Sequence, residues 1–175
     1  MTPDDFGALF ERFERSAFRV EARDRYDVPD EREDLAAFLN EQEVSPRTPG
    51  NDSWLALVAH ATASGRRVER VRIVGRPLTE YTRFEFAVYP ENIAAGEKIR
   101  VMERGSLQGI DGTWAEEDFW IFDDETVALL RYDEEGRFLG AETAGDVDAY
   151  LSAKQRALTI SEDFSDFALN PPPSS

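Results

Sequence analysis

The 175-residue chain contains no cysteine. That absence removes disulfides, thiolate nucleophiles and zinc–thiolate sites together. Histidine occurs once, so any Ser-His-Asp or Cys-His arrangement would have to use His60. His60 falls inside the helical pattern LALVAHATA, and no GxSxG elbow exists, so a packed or surface role is expected for it. There is no Walker A sequence and no GxGxxG, and the glycines stand singly where turns and caps would place them. No apolar run approaches the roughly 20 residues of a membrane span. The N-terminal residues lack the basic and apolar regions of a secretory signal, so a cytoplasmic protein is expected. Positive charge is scarce: 20 Lys+Arg face 36 Asp+Glu, a net charge of −16. Such a surface repels phosphate backbones, so direct nucleic-acid binding is not expected, whereas a basic protein partner suits it.

Hydrophobic residues make up 41% of the chain. That is enough to bury a core, and the length fits one domain on the usual scale of about 100–200 residues. The pattern predicts a domain over residues 1–169 and a disordered tail, NPPPSS, over 170–175. Phe6, Leu9, Phe10 and Phe13 share one helical face. SAFRVEAR alternates Phe18, Val20 and Ala22 with Arg19, Glu21 and Arg23, which reads as a half-buried strand. A helix follows from Pro29-Asp30, then the exposed loop VSPRTPGND, then a helix capped by Asp52 or Ser53 and closed by Gly65. RRVERVRIVGR is an arginine-dense strand broken by Pro77. Thr79 caps the next helix, and Pro90 is expected to open a second short helical piece ended by Gly96. EKIRVMER is a strand, and GSLQGIDGTWAEE a loop. Three strands come in close succession, Asp118–Phe122, Thr126–Tyr132 and Arg137–Ala141, before a last helix from Asp146. This order predicts a mixed α/β (α+β) domain with a mixed sheet, an antiparallel meander near the C-terminus and flanking helices.

Two charge clusters invite a chemical reading. Six acids and no bases lie between Glu116 and Glu125, at both ends of the FWIF strand. Asp123-Asp124-Glu125 joins two apolar strands, so a hairpin turn is the expected role. Calcium-loop spacing is absent from both DDETVALL and DEEGRFLG, and no metal ligand or cofactor is assigned. Asp118, Asp123 and Asp124 would serve a hydrolase or transferase, with or without a divalent metal, only if they converged in a cleft. The second cluster is GRRVERVRIVGR, in which Arg70 and Arg72 share a strand face and should pair with neighbouring acids. No catalytic residue is assigned. The binding candidates are Tyr26, Arg72, Tyr81, Arg83, Trp120 and Asp123, which mix aromatic anchors and charges as interaction hot spots do.

The blocks FERSAFRVEARDRYDVPDERE, RRVERVRIVGRPLTEYTRFEF, NIAAGEKIR and DFWIFDDETVALLRYDEEGRFLGAE resemble an actinobacterial (Streptomyces-type) domain-of-unknown-function family over roughly Phe6 to Phe167. Members of that family often accompany helix-turn-helix regulators of the antitoxin-like type, which implies a protein partner and a regulatory role. The run from Val68 onward, with FWIFDDETVALL, is also similar to phospholipase D-like domains. In those enzymes a histidine nucleophile and a phosphate-binding lysine form an HxK pair. No histidine or lysine lies between Arg100 and Leu130, so a shared fold would imply a binding scaffold without that active site. The expectation is a non-enzymatic regulatory or interaction protein. The alternatives are the carboxylate-dependent enzyme and a small-molecule sensor with an apolar pocket.

Overall fold

Alternation along the strands sets the architecture. The computed structural model describes residues 1–108 and 112–169; the expected disordered tail lies outside the described residues. Three strands, β1 (Ser16–Glu21), β2 (Arg67–Val74) and β3 (Lys98–Glu103), pair in parallel. β4 (Asp118–Phe122) runs antiparallel to β1, and β5 (Thr126–Tyr132) and β6 (Phe138–Thr143) continue it as a meander. A two-residue strand, β7 (Glu162–Asp163), closes the far edge, giving the order β6-β5-β4-β1-β2-β3-β7. The mixed sheet and its C-terminal meander match the architecture the sequence predicts.

The helices are α1 (Pro3–Arg12), α2 (Arg32–Leu39), α3 (Ser53–Ala63), α4 (Glu80–Ala95), α5 (Val147–Ile160) and α6 (Phe164–Leu169). Four begin at a side chain that accepts an otherwise orphaned backbone N–H: Thr2, Asp52, Thr79 and Asp146. One sheet face carries Phe18, Val20, Val71, Ile73, Phe119 and Ile121, packed against Ala153 and Ala157 of α5. The other face meets α1 and α3 through Ala17, Val68, Trp120 and Phe122. It meets α4 and α6 through Val74, Ile99 and Val101.

Four local expectations change. α4 is continuous through Pro90 rather than two pieces. A mid-helix proline costs about 3 kcal/mol, and here Tyr89 and Asn92 are buried on either side of it, so tertiary packing holds the helix together. The third meander strand starts at Phe138 and runs to Thr143, because Gly136, at φ 86°, and the Arg137 N–H bonded to Asp133 still belong to the turn. β7 and α6 follow the expected last helix; they are too short to show a period, and Phe164 and Phe167 anchor α6 in the core. Finally, β1 is not half-buried. Glu21 is 2% exposed although it points to the supposedly wet side.

Candidate ligand-binding cleft

The polar face of β1 is dry at one end because a second layer covers it. Parallel pairing places Arg19 beside Arg70 and Glu21 beside Arg72, and antiparallel pairing places Trp120 on the other flank of Arg19. With a side-chain period of two, these residues form one contiguous patch on the face that α1, α3 and α4 cover. The apolar residues of that face stop short of the patch and divide around it.

The patch is an ionic network. Glu21 takes Arg19 at 2.8 Å and Arg70 at 3.0 Å, with Arg72 farther off at 3.6 Å. Arg70 also donates to Glu97 at 2.6 Å. Glu97 accepts from Asn92 at 2.7 Å and from the Trp54 indole at 3.1 Å. Arg72 donates to Glu85 of α4 at 2.8 Å and to the Arg23 carbonyl at 2.5 Å. Tyr26 donates to Asp118, which also accepts the Ala22 N–H at 3.0 Å.

These surroundings separate two carboxyls. Burial alone would raise Glu21, but the guanidinium groups of Arg19, Arg70 and Arg72 outweigh it and hold its carboxyl below the usual range. Glu85 is raised to about 7: burial dominates, Arg72 opposes it, and the neighbouring Glu21 charge adds to it. Burial also raises Asp118, against Arg19 and the Tyr26 hydroxyl.

Above this floor opens a cleft of about 880 Å³. Phe10 of α1 and Trp54 of α3 line one side, and Tyr81, Phe84, Val88 and Tyr89 of α4 the other. Trp120 and Tyr132 rise from the sheet, and half-exposed Phe138 and Val28 stand at the mouth. Six acidic residues line it (Glu21, Asp30, Glu31, Asp34, Asp52 and Glu85) against the arginines 19, 47 and 70. The Arg19 guanidinium lies 5.6 Å from the Trp120 ring centre and 5.7 Å from that of Tyr26. Among the described residues, three buried atoms of cleft-lining side chains have no hydrogen-bond partner: Arg19 Nε, Glu21 Oε2 and the Tyr89 hydroxyl. Buried polar groups are ordinarily satisfied; Arg23 Nε, Arg72 Nη2 and Trp114 Nε1, on residues that do not line the cleft, lack partners as well.

Of the six binding candidates read from the sequence, Tyr26, Tyr81 and Trp120 meet at the cleft. Arg72 lies behind its floor and is fully buried. Arg83 stands on the exposed side of α4. Asp123 is at the tip of the β4–β5 hairpin, where it and Asp124 have φ of 56° and 61° and Glu125 N bonds the Phe122 carbonyl at 3.0 Å. Two successive left-handed residues closed by that hydrogen bond make a type I′ turn. Asp123 accepts the N–H groups of Glu14, Arg15 and Ser16 at 2.8, 2.6 and 2.9 Å, and Asp124 pairs with Lys154 at 2.6 Å. Asp118 is at the opposite end of β4, so the acids do not converge. Among the described residues no group of three or more His, Asp and Glu is arranged to hold a metal ion. Sequence reasoning did not single out Arg19, Glu21, Glu85 or Tyr132 as site residues. One signal was there for Glu85: with Tyr81, Tyr89 and Asn92 it occupies the buried stripe of α4.

Residues 4–169 match the family described as Domain of unknown function (DUF6879). The chain belongs to that family. No curated protein matches it. Among solved structures it is similar to a phospholipase D family member, Nuc from Salmonella typhimurium, at 12% identity and a TM-score of 0.52, over 89% of this chain and 86% of that one. At that identity the likeness shows the fold: a single mixed domain on a phospholipase D-like sheet. No histidine or lysine lines this family member's cleft among the described residues, and no helix among them is long and apolar enough to cross a membrane.

Proposed function

We propose that this chain is a non-enzymatic binding module whose cleft takes up a small organic ligand and whose outer surface reports occupancy to a protein partner. The observation that carries the reading is the cleft itself. Its volume lies within the range of about 300–1,000 Å³ usual for small-molecule sites. Its walls are aromatic, and its floor is a set of fixed charges. The floor arginines are bound to carboxylates, which suits recognition better than turnover. The partner is a helix-turn-helix regulator of the antitoxin-like type in a cytoplasmic, actinobacterial setting, as the family resemblance implies. In that setting the phospholipase D-like frame serves as a pseudoenzyme scaffold.

Thermal-shift screening of a small-molecule library tests the reading. A ligand confined to the native state raises the melting temperature in proportion to the logarithm of its concentration. Hits are expected whose effect disappears in Trp54→Ala and in Tyr132→Ala. A library without any hit that depends on those two residues refutes the proposal. The carboxylate-enzyme alternative has one observation in its favour, the Glu85 carboxyl held at about 7 beside the cleft. Turnover of a phosphodiester or ester by the wild type, abolished in Glu85→Gln, would select it instead.

A further inference from the structure

The cleft's charge pattern narrows the ligand class. This step rests on the reading of the cleft as a ligand site. Each of its three arginines is already engaged: Arg19 with Glu21 at 2.8 Å, Arg70 with Glu97 at 2.6 Å, and Arg47 with Glu91 at 2.8 Å. An anionic ligand would have to break one of these pairs. The acids are less committed. Asp30, in the turn before α2, and Asp34, in its first turn, line the cleft and have no cationic partner among the described residues. Deeper in, the Glu21 Oε2 atom accepts no hydrogen bond, its residue is 2% exposed, and the Arg72 Nε lies beyond hydrogen-bond reach at 3.6 Å. The Tyr89 hydroxyl, on a residue also 2% exposed, is likewise unpartnered. A rim of unpaired carboxylates attracts positive charge, and a buried free carboxylate oxygen demands an N–H or O–H donor. The aromatic walls supply stacking and cation–π contacts for the body of the same molecule.

We infer that the cleft is selective for an organic cation, an aromatic or apolar body bearing an ammonium or amidinium group, drawn in by Asp30 and Asp34 and held between the aromatic walls above the Glu21 carboxylate.

Three probes sharing one ring separate this inference from the reading beneath it: 2-(1-naphthyl)ethylamine, 1-naphthaleneethanol and 1-naphthaleneacetate. The readout is protein-observed NMR of the tryptophan indole N–H signals. Trp54 and Trp120 line the cleft, whereas Trp114 packs on the opposite sheet face and serves as an internal control. The amine is expected to shift Trp54 and Trp120 but not Trp114, and to bind at least about tenfold more tightly than the other two, a margin that one rim-charge interaction of ~1.4 kcal/mol supplies. The double variant Asp30→Asn/Asp34→Asn should weaken the amine by roughly tenfold and leave the alcohol unchanged, and added salt should weaken the amine alone. Both aspartates lie outside the buried network, so the variant is expected to fold. If the alcohol or the carboxylate binds as well as the amine, the cation inference falls and the ligand-site reading stands. If none of the three perturbs Trp54 or Trp120 at millimolar concentration, both fall.

Discussion

Glu85→Gln should change how stability depends on pH. The wild-type carboxyl is raised from 4.5 to about 7, with burial as the leading cause. The folded chain therefore keeps a proton that the unfolded chain releases at about pH 4.5, and stability must fall as pH rises through that interval. At about 1.4 kcal/mol per pH unit, the loss between about pH 5 and about pH 8 is on the order of 3 kcal/mol. Gln cannot ionise, and its side-chain oxygen can still accept the bond that Arg72 Nε gives to Glu85 Oε2 at 2.8 Å. Asp118 and Glu31, also raised by burial, push in the same direction, so the variant's profile flattens without becoming level. Urea denaturation of both proteins across that pH range gives the two curves. The variant should be no more stable than wild type at the acid end and more stable at the alkaline end. Parallel curves would refute the claim that Glu85 is the carboxyl forced to share Arg72 with the better-supported Glu21.

Other positions give independent tests. Asp123→Ala removes the acceptor of three backbone N–H groups and puts an alanine at a φ of 56°, so it should cost about 2 kcal/mol in thermal unfolding, with Asp123→Asn costing less. Gly96 ends α4 at a φ of 114°, and a Cβ there would clash with the Thr62 side chain; Gly96→Ala should cost about 2 kcal/mol or more, part of which Thr62→Ala recovers in the double variant. Arg70→Met leaves Glu97 and Glu21 short of a buried cation and should lower the stability read from guanidinium denaturation by about 3–5 kcal/mol.

The parts of the fold visible in the sequence are those with local causes. The Asp52, Thr79 and Asp146 caps locate three helix starts, because a side-chain acceptor three residues before an N–H is a short-range fact. The strand spans 118–122 and 126–132 follow from apolar runs around a three-residue acidic connector. The cleft has no such local cause. Alternation in SAFRVEAR reports two faces but not what covers each, and water and a second charged layer satisfy Arg19 and Glu21 alike. Tyr26, Tyr81 and Trp120 reach the cleft because amphipathic aromatics suit both a core and a ligand wall. Arg83 and Asp123 lie apart from it, on the exposed side of α4 and in the β4–β5 turn, and residue type alone carries no information about that placement.

The two faces of the sheet give a comparison within one molecule. The α5 side is held by Phe18, Val20, Val71, Ile73, Phe119 and Ile121 with no charged side chain among them. The other face, built from the same strands, buries Arg72, Glu21 and Glu97 almost completely. Ion pairs withdrawn from water commonly return no more stability than well-packed apolar residues of the same volume. A sheet selected for stability alone would therefore have treated its two faces alike. The network is also incomplete where it meets the cleft: Glu21 Oε2 and Arg19 Nε lack partners among the described residues, whereas Glu97, set behind, has both oxygens engaged. The Arg72 Nη2 atom behind the floor lacks a partner as well, so the charged layer is under-satisfied on both sides of the floor, a cost that close-packed apolar residues would not incur.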